Sequence, residues 1–474
     1  MEKDMKGQEV KSWRTEKPTI FRVPEIIRRA DPEAYEPNII SFGPYHRGKP
    51  HLRAMDKLKP QYLRRFVART TPKKTLEECR SYVRTMERQA RSAYSETIDM
   101  GSEEFVDMML YDGCFVVELF LGLTERQLEG KEPEEMEEGD EHDPVFSSAW
   151  AEYYLRLDML LLENQLPLFL LRDFLSFVAP AMAANSLRPL ALNFFGGDFL
   201  PGRTKKLPLD LELPEAFRSH HTLHLLHSCI QKAPDAINED KSSHGGDKVI
   251  RGAAQGFRSI SASYSLLASS FGRKSEKRVD SETIFTPLTP ATVPCARELK
   301  NAGVQIVRKM DTDSFLDVTF SNGRLEIPRI RAYNVSNTIL RNLIAFEQLY
   351  PERGTHVTDF AYLMDCLIDT REDVALLREA DILVSAMGSN KDVADLFNRL
   401  CHKVVVQPTK GHLRGVFEDV PKHCEKKYNK WRATLNHAYF GNPWAVISVV
   451  AGILLFVLTI VQTVFSVLSY YQLS

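Results

Sequence analysis

The sequence predicts a mainly α protein: one large helical domain with a small β-hairpin or sheet element, followed by one C-terminal transmembrane helix. Three observations predict this architecture. Apolar residues recur at helical spacing over 55–128 and again over 335–406. An Asn322–Gly323 pair separates two alternating runs, which is a strong hairpin signal. The segment 444–468 is almost continuously apolar.

The composition is that of a globular protein with no charge excess. The chain has 474 residues, of which 43% are hydrophobic and 26% charged, so it can bury a sizeable core. Its formal net charge is −2, which argues against a nucleic-acid partner. The 7 cysteines are dispersed, as in proteins of a reducing compartment. The charged N-terminus lacks an apolar signal-peptide core, so we expect no cleaved signal.

The chain divides into three predicted regions. Residues 1–19 are polar and predict a disordered N-terminus, residues 20–430 form the mainly helical domain, and 444–468 is the transmembrane helix. Mobile loops are predicted near 129–145, which is strongly acidic, and near 231–290, which is rich in Gly, Ser, Lys and Asp. A solvated loop is the favoured interpretation of the acidic stretch, and a docking site for a basic partner is the alternative.

The clearest helical stripe in the first half is formed by Phe105, Met108, Met109, Asp112 and Phe115. These positions recur at i, i+3, i+4, i+7 and i+10, so they lie on one face of a helix. One acidic residue is embedded in this otherwise apolar face. The pattern predicts a core helix.

The rest of the domain alternates between helical and extended patterns. Residues 150–178 predict a long helical segment interrupted at Pro167. Residues 304–307 predict a short strand, and 314–327 predict a hairpin that turns at Asn322–Gly323. Further helices are predicted over 335–350, 357–370, 373–386 and 392–406.

The C-terminal apolar segment is long enough to cross a bilayer. Residues 444–468 meet the length of roughly 20 mostly apolar residues that a spanning helix needs. A buried core helix is the alternative, but core helices rarely run so long without a charge. Aromatic residues, which settle at membrane–water interfaces, flank both ends: Tyr439, Phe440, Trp444, Tyr470 and Tyr471.

Basic residues before the span set the expected orientation. The positive-inside bias predicts that the large domain is cytosolic and that the chain is tail-anchored, in the plasma membrane or an endomembrane. The sequon at Asn334 would then be silent, whereas the opposite topology would expose it to glycosylation. The basic residues are Lys422, Lys426, Lys427, Lys430 and Arg432.

Standard catalytic signatures do not occur in the sequence. It contains no G-x-S-x-G, P-loop, G-x-G-x-x-G, H-E-x-x-H or kinase motif, so no catalytic residue is predicted. His220, His224 and His227 would share one helical face and could present imidazoles to a metal ion. No carboxylate or cysteine lies at helical spacing among them. We therefore favour ordinary helix histidines and expect no metal or other cofactor.

A second unusual stretch places polar residues in a strongly apolar run. Asp158, Glu163, Asn164 and Gln165 are surrounded by leucines. Buried polar groups need hydrogen-bond partners, so the stretch predicts either a structural network or a site. Asp158 and Glu163 do not share a helical face cleanly, which favours the network over paired acid–base chemistry.

Several blocks carry a family resemblance, in order along the chain. They are I-F-R-V-P at 20–24, S-F-G-P-Y-H-R-G at 41–48, M-L-Y-D-G-C-F at 109–115, D-M-L-L-L-E-N-Q-L-P at 158–167, R-N-L-I-A-F-E-Q at 341–348 and Y-F-G-N-P-W at 439–444. In these blocks the chain resembles the plant family catalogued as domain of unknown function 247. The resemblance implies a plant protein with a single membrane anchor and no established enzymatic activity. Some grass members of that family are implicated in self-incompatibility, as recognition determinants.

Two main functional hypotheses follow, together with a purely scaffolding one. The first is a membrane-anchored interaction protein in recognition or signalling. Its partners would be the bilayer, through 444–468, and an unknown protein, with no small molecule indicated. The alternative is an uncharacterised enzyme that uses the Asp158/Glu163 region or a metal site at His220, His224 and His227.

Overall fold

The computed structural model describes residues 18–129, 145–146, 148–180, 187–199, 219–231, 292–310, 312, 314–426 and 443–472. These residues belong to one compact unit, Met1–Ala233 with Pro290–Ser474. The predicted disorder of 1–19 lies almost wholly outside the described residues. The predicted loops near 129–145 and 231–290 also lie outside them, apart from a few flanking positions.

The first half of the chain packs around one long helix. Its helices are α1 (Glu25–Arg28), α2 (Arg53–Asp56), α3 (Lys59–Arg69), α4 (Leu76–Ser92), α5 (Ser102–Glu129), α6 (Ala149–Asp158), α7 (Leu168–Val178), α8 (Leu187–Phe199) and α9 (Thr222–Gln231). Helix α5 contacts α3, α4, α7 and α8. The five residues of its predicted stripe, Asp112 included, are all buried, which confirms α5 as the core helix.

A glycine in α5 allows α7 to approach closely. A Cβ atom at Gly113 would lie 2.6 Å from Cε2 of Phe174, closer than any real contact. The Phe174 ring is fully buried and packs 5.5 Å from the ring of Phe66 in α3. Because protein interiors are close-packed, no side chain larger than a hydrogen fits at position 113 without displacing this ring.

The predicted helix over 150–178 is two helices with an irregular connection. Helix α6 ends at Asp158 and α7 begins at Leu168, so the interruption covers 159–167 and not Pro167 alone. The side chains of Asn164 and Gln165 donate to main-chain carbonyls within this connection. Side-chain amides that bond the backbone locally offer it an alternative to the helix.

Between residues 292 and 426, the described second half of the domain combines six α-helices and five short strands. The helices are α10 (Ala296–Asn301), α11 (Asn334–Leu349), α12 (His356–Leu367), α13 (Arg371–Glu379), α14 (Asn390–Leu400) and α15 (Arg414–Glu425). The strands are β1 (Gln305–Lys309), β2 (Thr319–Ser321), β3 (Arg324–Pro328), β4 (Ile330–Ala332) and β5 (Leu383–Ser385). Strands β1, β3 and β2 form one sheet in that order, with β1 parallel and β2 antiparallel to β3.

The predicted hairpin is present and turns where expected. Asn322 and Gly323 have φ angles of 52° and 78°, as a type I′ turn requires. The first strand is shorter than predicted, because it begins at Thr319 and not at Ser314. Successive residues Ser314, Phe315 and Leu316 are all buried, so this stretch lacks the one-sided exposure of a hairpin strand.

One predicted helix is too long, because its end forms a strand. The helix predicted over 373–386 ends at Glu379, and Asp381 adopts a φ of 53°. Leu383–Ser385 then pairs in parallel with Ile330–Ala332 as a second, two-stranded sheet. The prediction failed because the partner strand is distant in sequence and leaves no local signal at 383–385.

The last helix, α16 (Pro443–Gln472), has 30 residues. Its described apolar side chains face away from the rest of the chain, and Phe456 and Phe465 are each 68% exposed. This exposure is the opposite of the buried core helix considered as the alternative. Within the described residues, none of the helices meets the length and hydropathy required for crossing a membrane. The transmembrane helix over 444–468 therefore stays a prediction.

Candidate functional site

Asp158, at the end of α6, accepts hydrogen bonds from an irregular N-terminal stretch, residues 38–43. Its Oδ1 accepts from the backbone N–H of Asn38 at 2.7 Å and from Nδ2 of the same residue at 2.9 Å. Its Oδ2 accepts from the N–H groups of Ile39 at 2.7 Å and Ile40 at 3.0 Å. Burial raises the pKa of Asp158, and the N–H donors oppose that rise. Four donors from the protein occupy this carboxylate, so it is a structural acceptor.

Asn164 continues the attachment along the same stretch. Its Oδ1 accepts from the Phe42 N–H at 2.6 Å, and its Nδ2 donates to the carbonyls of Ile40 at 3.1 Å and Asp158 at 2.9 Å. The side chain is fully buried and uses its donor and acceptor groups. Asn164 therefore links the N-terminal stretch to the connection between α6 and α7.

Gln165 organises the connection itself and joins it to α9. Its Nε2 donates to the carbonyls of Met159 and Leu161, both at 2.7 Å. Its Oε1 accepts from Thr222 Oγ1 at 2.6 Å and from the Leu223 N–H at 3.1 Å. The Leu223 N–H lies in the first turn of α9, where backbone N–H groups have no partner within the helix.

Asp112 is the last member of a group that we call the polar core: Asp112, Asp158, Asn164 and Gln165. Its contact with the N-terminal stretch is made through Gly43. The Gly43 N–H donates to Asp112 Oδ2 at 2.9 Å, and Lys59 Nζ lies 2.8 Å from Asp112 Oδ1. Gly43 has a φ of +69°, and a Cβ there would lie 2.7 Å from the Tyr94 hydroxyl. Only glycine satisfies both constraints. The predicted network is therefore present.

Glu163 differs from the other acids because it lies beside a cavity. Its Oε1 accepts from the Val23 N–H at 2.6 Å and from Arg28, and its Oε2 makes no hydrogen bond within the described chain. Nε2 of the buried His46 lies 3.5 Å from that oxygen. Burial, with Lys49 next in effect, lowers the pKa of His46 to about 3, so its imidazole is neutral at pH 7.

The cavity beside Glu163 has a volume of about 550 Å³ and is lined by charges of both signs. Arg28 pairs with Glu36 at 3.1 Å as well as with Glu163, and Arg22 pairs with Glu96 at 2.7 Å. Sequence analysis did not single out the His46–Glu163 contact. His46 was visible only as part of the block 41–48, because nothing local indicates that it meets Glu163.

Two of the three histidines of the predicted face lie in the core, together with His221. His221, His224 and His227 are fully buried, and their rings lie 5.6, 5.1 and 4.9 Å from the ring of Phe346. His220 is exposed, and its backbone N–H donates to His224 Nδ1 at 3.2 Å. Burial lowers the pKa of His221 to about 3 and lowers that of His224 further.

His227 binds an acid that caps a neighbouring helix. Its Nε2 lies 2.8 Å from Glu347 Oε1, and the Glu347 carboxylate accepts from the N–H groups of Val357 and Thr358 at 2.9 and 2.8 Å. These N–H groups belong to the first turn of α12, where a carboxylate is stabilising. Across the described part of the chain, no three His, Cys, Asp or Glu side chains are grouped to hold a metal ion. The metal-site alternative at His220, His224 and His227 therefore has no support from this arrangement.

The comparison with known proteins decides the family. The family model described as a plant protein of unknown function, DUF247, matches residues 20–458. The chain belongs to the DUF247 family. The matched region contains the whole polar core and both predicted site regions.

Two relatives of this DUF247 protein come from Arabidopsis thaliana. A UPF0481 protein is 30% identical over 462 residues, which cover 95% of this chain and 86% of the relative. A putative UPF0481 protein is 25% identical over 493 residues, covering 94% of this chain and 89% of the relative. No solved structure matches the chain.

Replacing Asp158 with Asn should destabilise the protein by about 2–5 kcal/mol. The new amide would turn N–H groups toward backbone donors that now point at a carboxylate oxygen. Denaturant unfolding of the full chain in detergent measures the change. Asp419→Asn is the matched control, because Asp419 is exposed and should matter by less than about 0.5 kcal/mol. Equal effects of the two substitutions would contradict the structural role of Asp158.

Acidification should destabilise the fold through its buried histidines. The folded pKa of His221 is about 3, below the unfolded value of 6.5, so the unfolded chain binds the proton more tightly. The stability that the neutral His221 contributes to the fold is fully present above pH 6.5 and is lost as the pH falls toward 3. Between pH 7 and pH 5 the free energy of unfolding should fall by about 2 kcal/mol. Between pH 7 and pH 5 the His221→Gln variant should lose about 2 kcal/mol less stability than the wild type. Phe346→Leu, which perturbs the same core, should keep the wild-type pH dependence.

Proposed function

We propose that this DUF247 protein is anchored in a membrane by α16 and that its helical domain binds a protein partner. The observation that carries the anchoring is the exposure of apolar side chains along α16. Ile453, Leu455 and Phe456 are each more than half exposed. A contiguous exposed apolar surface of this kind marks a site of contact with a membrane or another protein. Burying each such side chain contributes about 1.5–3 kcal/mol.

Two hydroxyl groups of α16 are hydrogen-bonded within the helix. Thr459 Oγ1 donates to the Leu455 carbonyl at 2.8 Å, and Thr463 Oγ1 donates to the Thr459 carbonyl at 2.7 Å. Hydrocarbon offers no hydrogen-bond partners, so hydroxyl groups that are satisfied within the helix favour a membrane environment.

The basic residues that precede α16 support a cytosolic domain. Lys422 and Lys426 are part of the run ending at Arg432, and positive charges next to a span favour the cytosolic side. The opposite topology would put Asn334 outside the cytosol. Asn334 is exposed at the start of α11, so its sequon is accessible to modification in that topology. We propose that the helical domain lies on the cytosolic side.

The binding role is supported by the contacts of the polar residues in the family block 158–167. Asp158, Asn164 and Gln165 direct their polar groups to partners within the chain, so these residues hold the domain together. This leaves the domain surface and its cavities for partners. Recognition or signalling is the class we propose, and the implication of grass members in self-incompatibility is the reason for naming recognition.

A catalytic role is the second candidate, and one contact favours it. The neutral His46 lies 3.5 Å from Glu163 Oε2 beside a cavity of about 550 Å³. That oxygen has no hydrogen bond within the described chain, and Arg22 forms an ion pair with it at 3.6 Å. A neutral imidazole next to a carboxylate is an arrangement used in general base catalysis. Asp158 is not part of this candidate, because its oxygens are occupied by backbone donors.

Charged substitutions in α16 should detach the protein from membranes. Leu454→Lys combined with Leu458→Lys places two charges near the helix centre, at about 2.5–3.5 kcal/mol each, and should lower membrane partition at least about 100-fold. The measurement is vesicle flotation together with resistance to alkaline carbonate extraction. The control is Ile26→Lys with Leu76→Lys, two exposed apolar residues outside α16, which should float like the wild type. Equal flotation of the two double variants would count against the anchor.

The binding role predicts a partner that is captured by the intact domain. Affinity purification of the full chain from native membranes should recover a specific protein, and Asp158→Asn should reduce its recovery by destabilising the domain. Glu163→Gln should retain it, because a binding role does not require the Glu163 charge. Recovery of no specific protein with any form would argue against the interaction role.

Protease digestion of sealed microsomes tests the orientation of the helical domain. A domain protected from digestion would reverse the proposed cytosolic orientation.

A further inference from the structure

A second cavity lies where distant segments of the domain meet. Its volume is about 660 Å³, within the range of small-molecule sites. The segments before α1, at the end of α4, at the start of α7, before α9 and after α11 supply its walls. The residues that matter for the argument are Phe21, Phe169, His220, Tyr350, Glu352 and Arg353.

Backbone hydrogen bonds hold the walls in position. The N–H groups of Thr19 and Ile20 both donate to the Ala93 carbonyl, at 2.7 and 2.8 Å. The Leu168 N–H donates to the His220 carbonyl at 2.8 Å. These bonds join segments that are far apart in sequence, so the cavity is formed before any ligand arrives, which lowers the entropy cost of binding.

Arg353 brings an uncompensated charge to this cavity. Its Nε is buried without a hydrogen-bond partner, and no acidic side chain of the described chain forms an ion pair with its guanidinium. Its main chain is fixed, because Gln231 Nε2 donates to the Arg353 carbonyl at 2.7 Å. Arg353 lines the cavity, so an anion bound there can pair with its guanidinium. The cations of the other cavity, Arg22 and Arg28, already have acidic partners.

The other described walls of the cavity include aromatic rings and, apart from Glu352, no charged side chain. The rings of Phe21 and Tyr350 meet edge to face at 5.1 Å, and Phe169 lines the same space. Burial raises the pKa of Tyr350, and burial, with Arg353 next, lowers the pKa of His220 below 6.5. Both groups are therefore neutral at pH 7. Glu352 is exposed, so water screens its charge while Arg353 Nε is shielded from solvent.

We propose that this cavity binds a small aromatic carboxylic acid, whose carboxylate pairs with the Arg353 guanidinium and whose ring contacts Phe21, Phe169 and Tyr350. A planar carboxylate matches the donor fork of a guanidinium. Aromatic walls contribute favourable edge-to-face contacts with a ring. The proposal goes beyond the proposed function and does not depend on membrane anchoring.

Binding of 2-naphthoate and of its neutral isostere 2-naphthamide tests this assignment. Isothermal titration uses the full chain in detergent, with the detergent solution alone as the blank. The acid should bind saturably at one site and at least about 10-fold more tightly than the amide, because charge-assisted hydrogen bonds are roughly twice as strong as neutral ones. Arg353→Gln should reduce the affinity for the acid to that for the amide and leave the amide unchanged. Arg371→Gln is the control, since Arg371 is an exposed arginine paired with Glu372.

A second variant keeps the test decisive if Arg353→Gln alters the fold. Phe169→Ala removes a half-buried wall residue and should weaken the acid and the amide by the same factor, with the preference for the acid retained. Three results would overturn the assignment. They are no saturable binding of the acid, equal affinity for acid and amide in the wild type, or wild-type affinity for the acid in a folded Arg353→Gln variant.

Discussion

The domain depends on how the backbone amides of one extended stretch are satisfied. Residues 38–43 are neither helix nor strand, yet all of them except the exposed Asn38 are buried. A buried N–H group without a partner costs free energy, so this stretch needs acceptors from elsewhere. Asp158, Asn164 and Asp112 supply them, with bonds to the N–H groups of residues 38, 39, 40, 42 and 43. Removing any acceptor leaves donors buried and unpaired.

This constraint explains why the connection between α6 and α7 is irregular. A continuous helix would point Asp158 and Asn164 in fixed directions and would satisfy its own carbonyls. The irregular connection instead lets Asn164 and Gln165 bond the carbonyls of residues 158, 159 and 161 and reach outward as well. One short segment thereby contacts the N-terminal stretch, α9 and, through the Leu162 N–H, Asn342 of α11. Both cavities lie at the edges of the region that it organises.

Much of this could be predicted from the sequence. The α5 stripe and the Asn322–Gly323 turn carry local signals of period and turn chemistry, and both appear as predicted. The polar residues in the 158–165 run were expected to form a network because buried polar groups require partners, and they do. Membership of the DUF247 family follows from blocks spread along the chain.

The features that escaped prediction depend on contacts between distant residues. The β4–β5 pair joins segments far apart in sequence, and 383–385 alone fits the end of a helix equally well. The His46–Glu163 contact exists only once several segments have come together, and so does the burial of Arg353 Nε, which has no hydrogen-bond partner among the described residues. Neither has a local pattern, so spacing analysis has nothing to detect.

The most direct test of the central claim is native-state hydrogen exchange of residues 38–43. If the side chains of Asp158, Asn164 and Asp112 hold these amides in the core, peptides that cover the stretch should exchange as slowly as those from α5, with protection lost only on global unfolding. Exchange as fast as in an exposed turn would contradict the account, because it would mean that these amides are not held by the polar core.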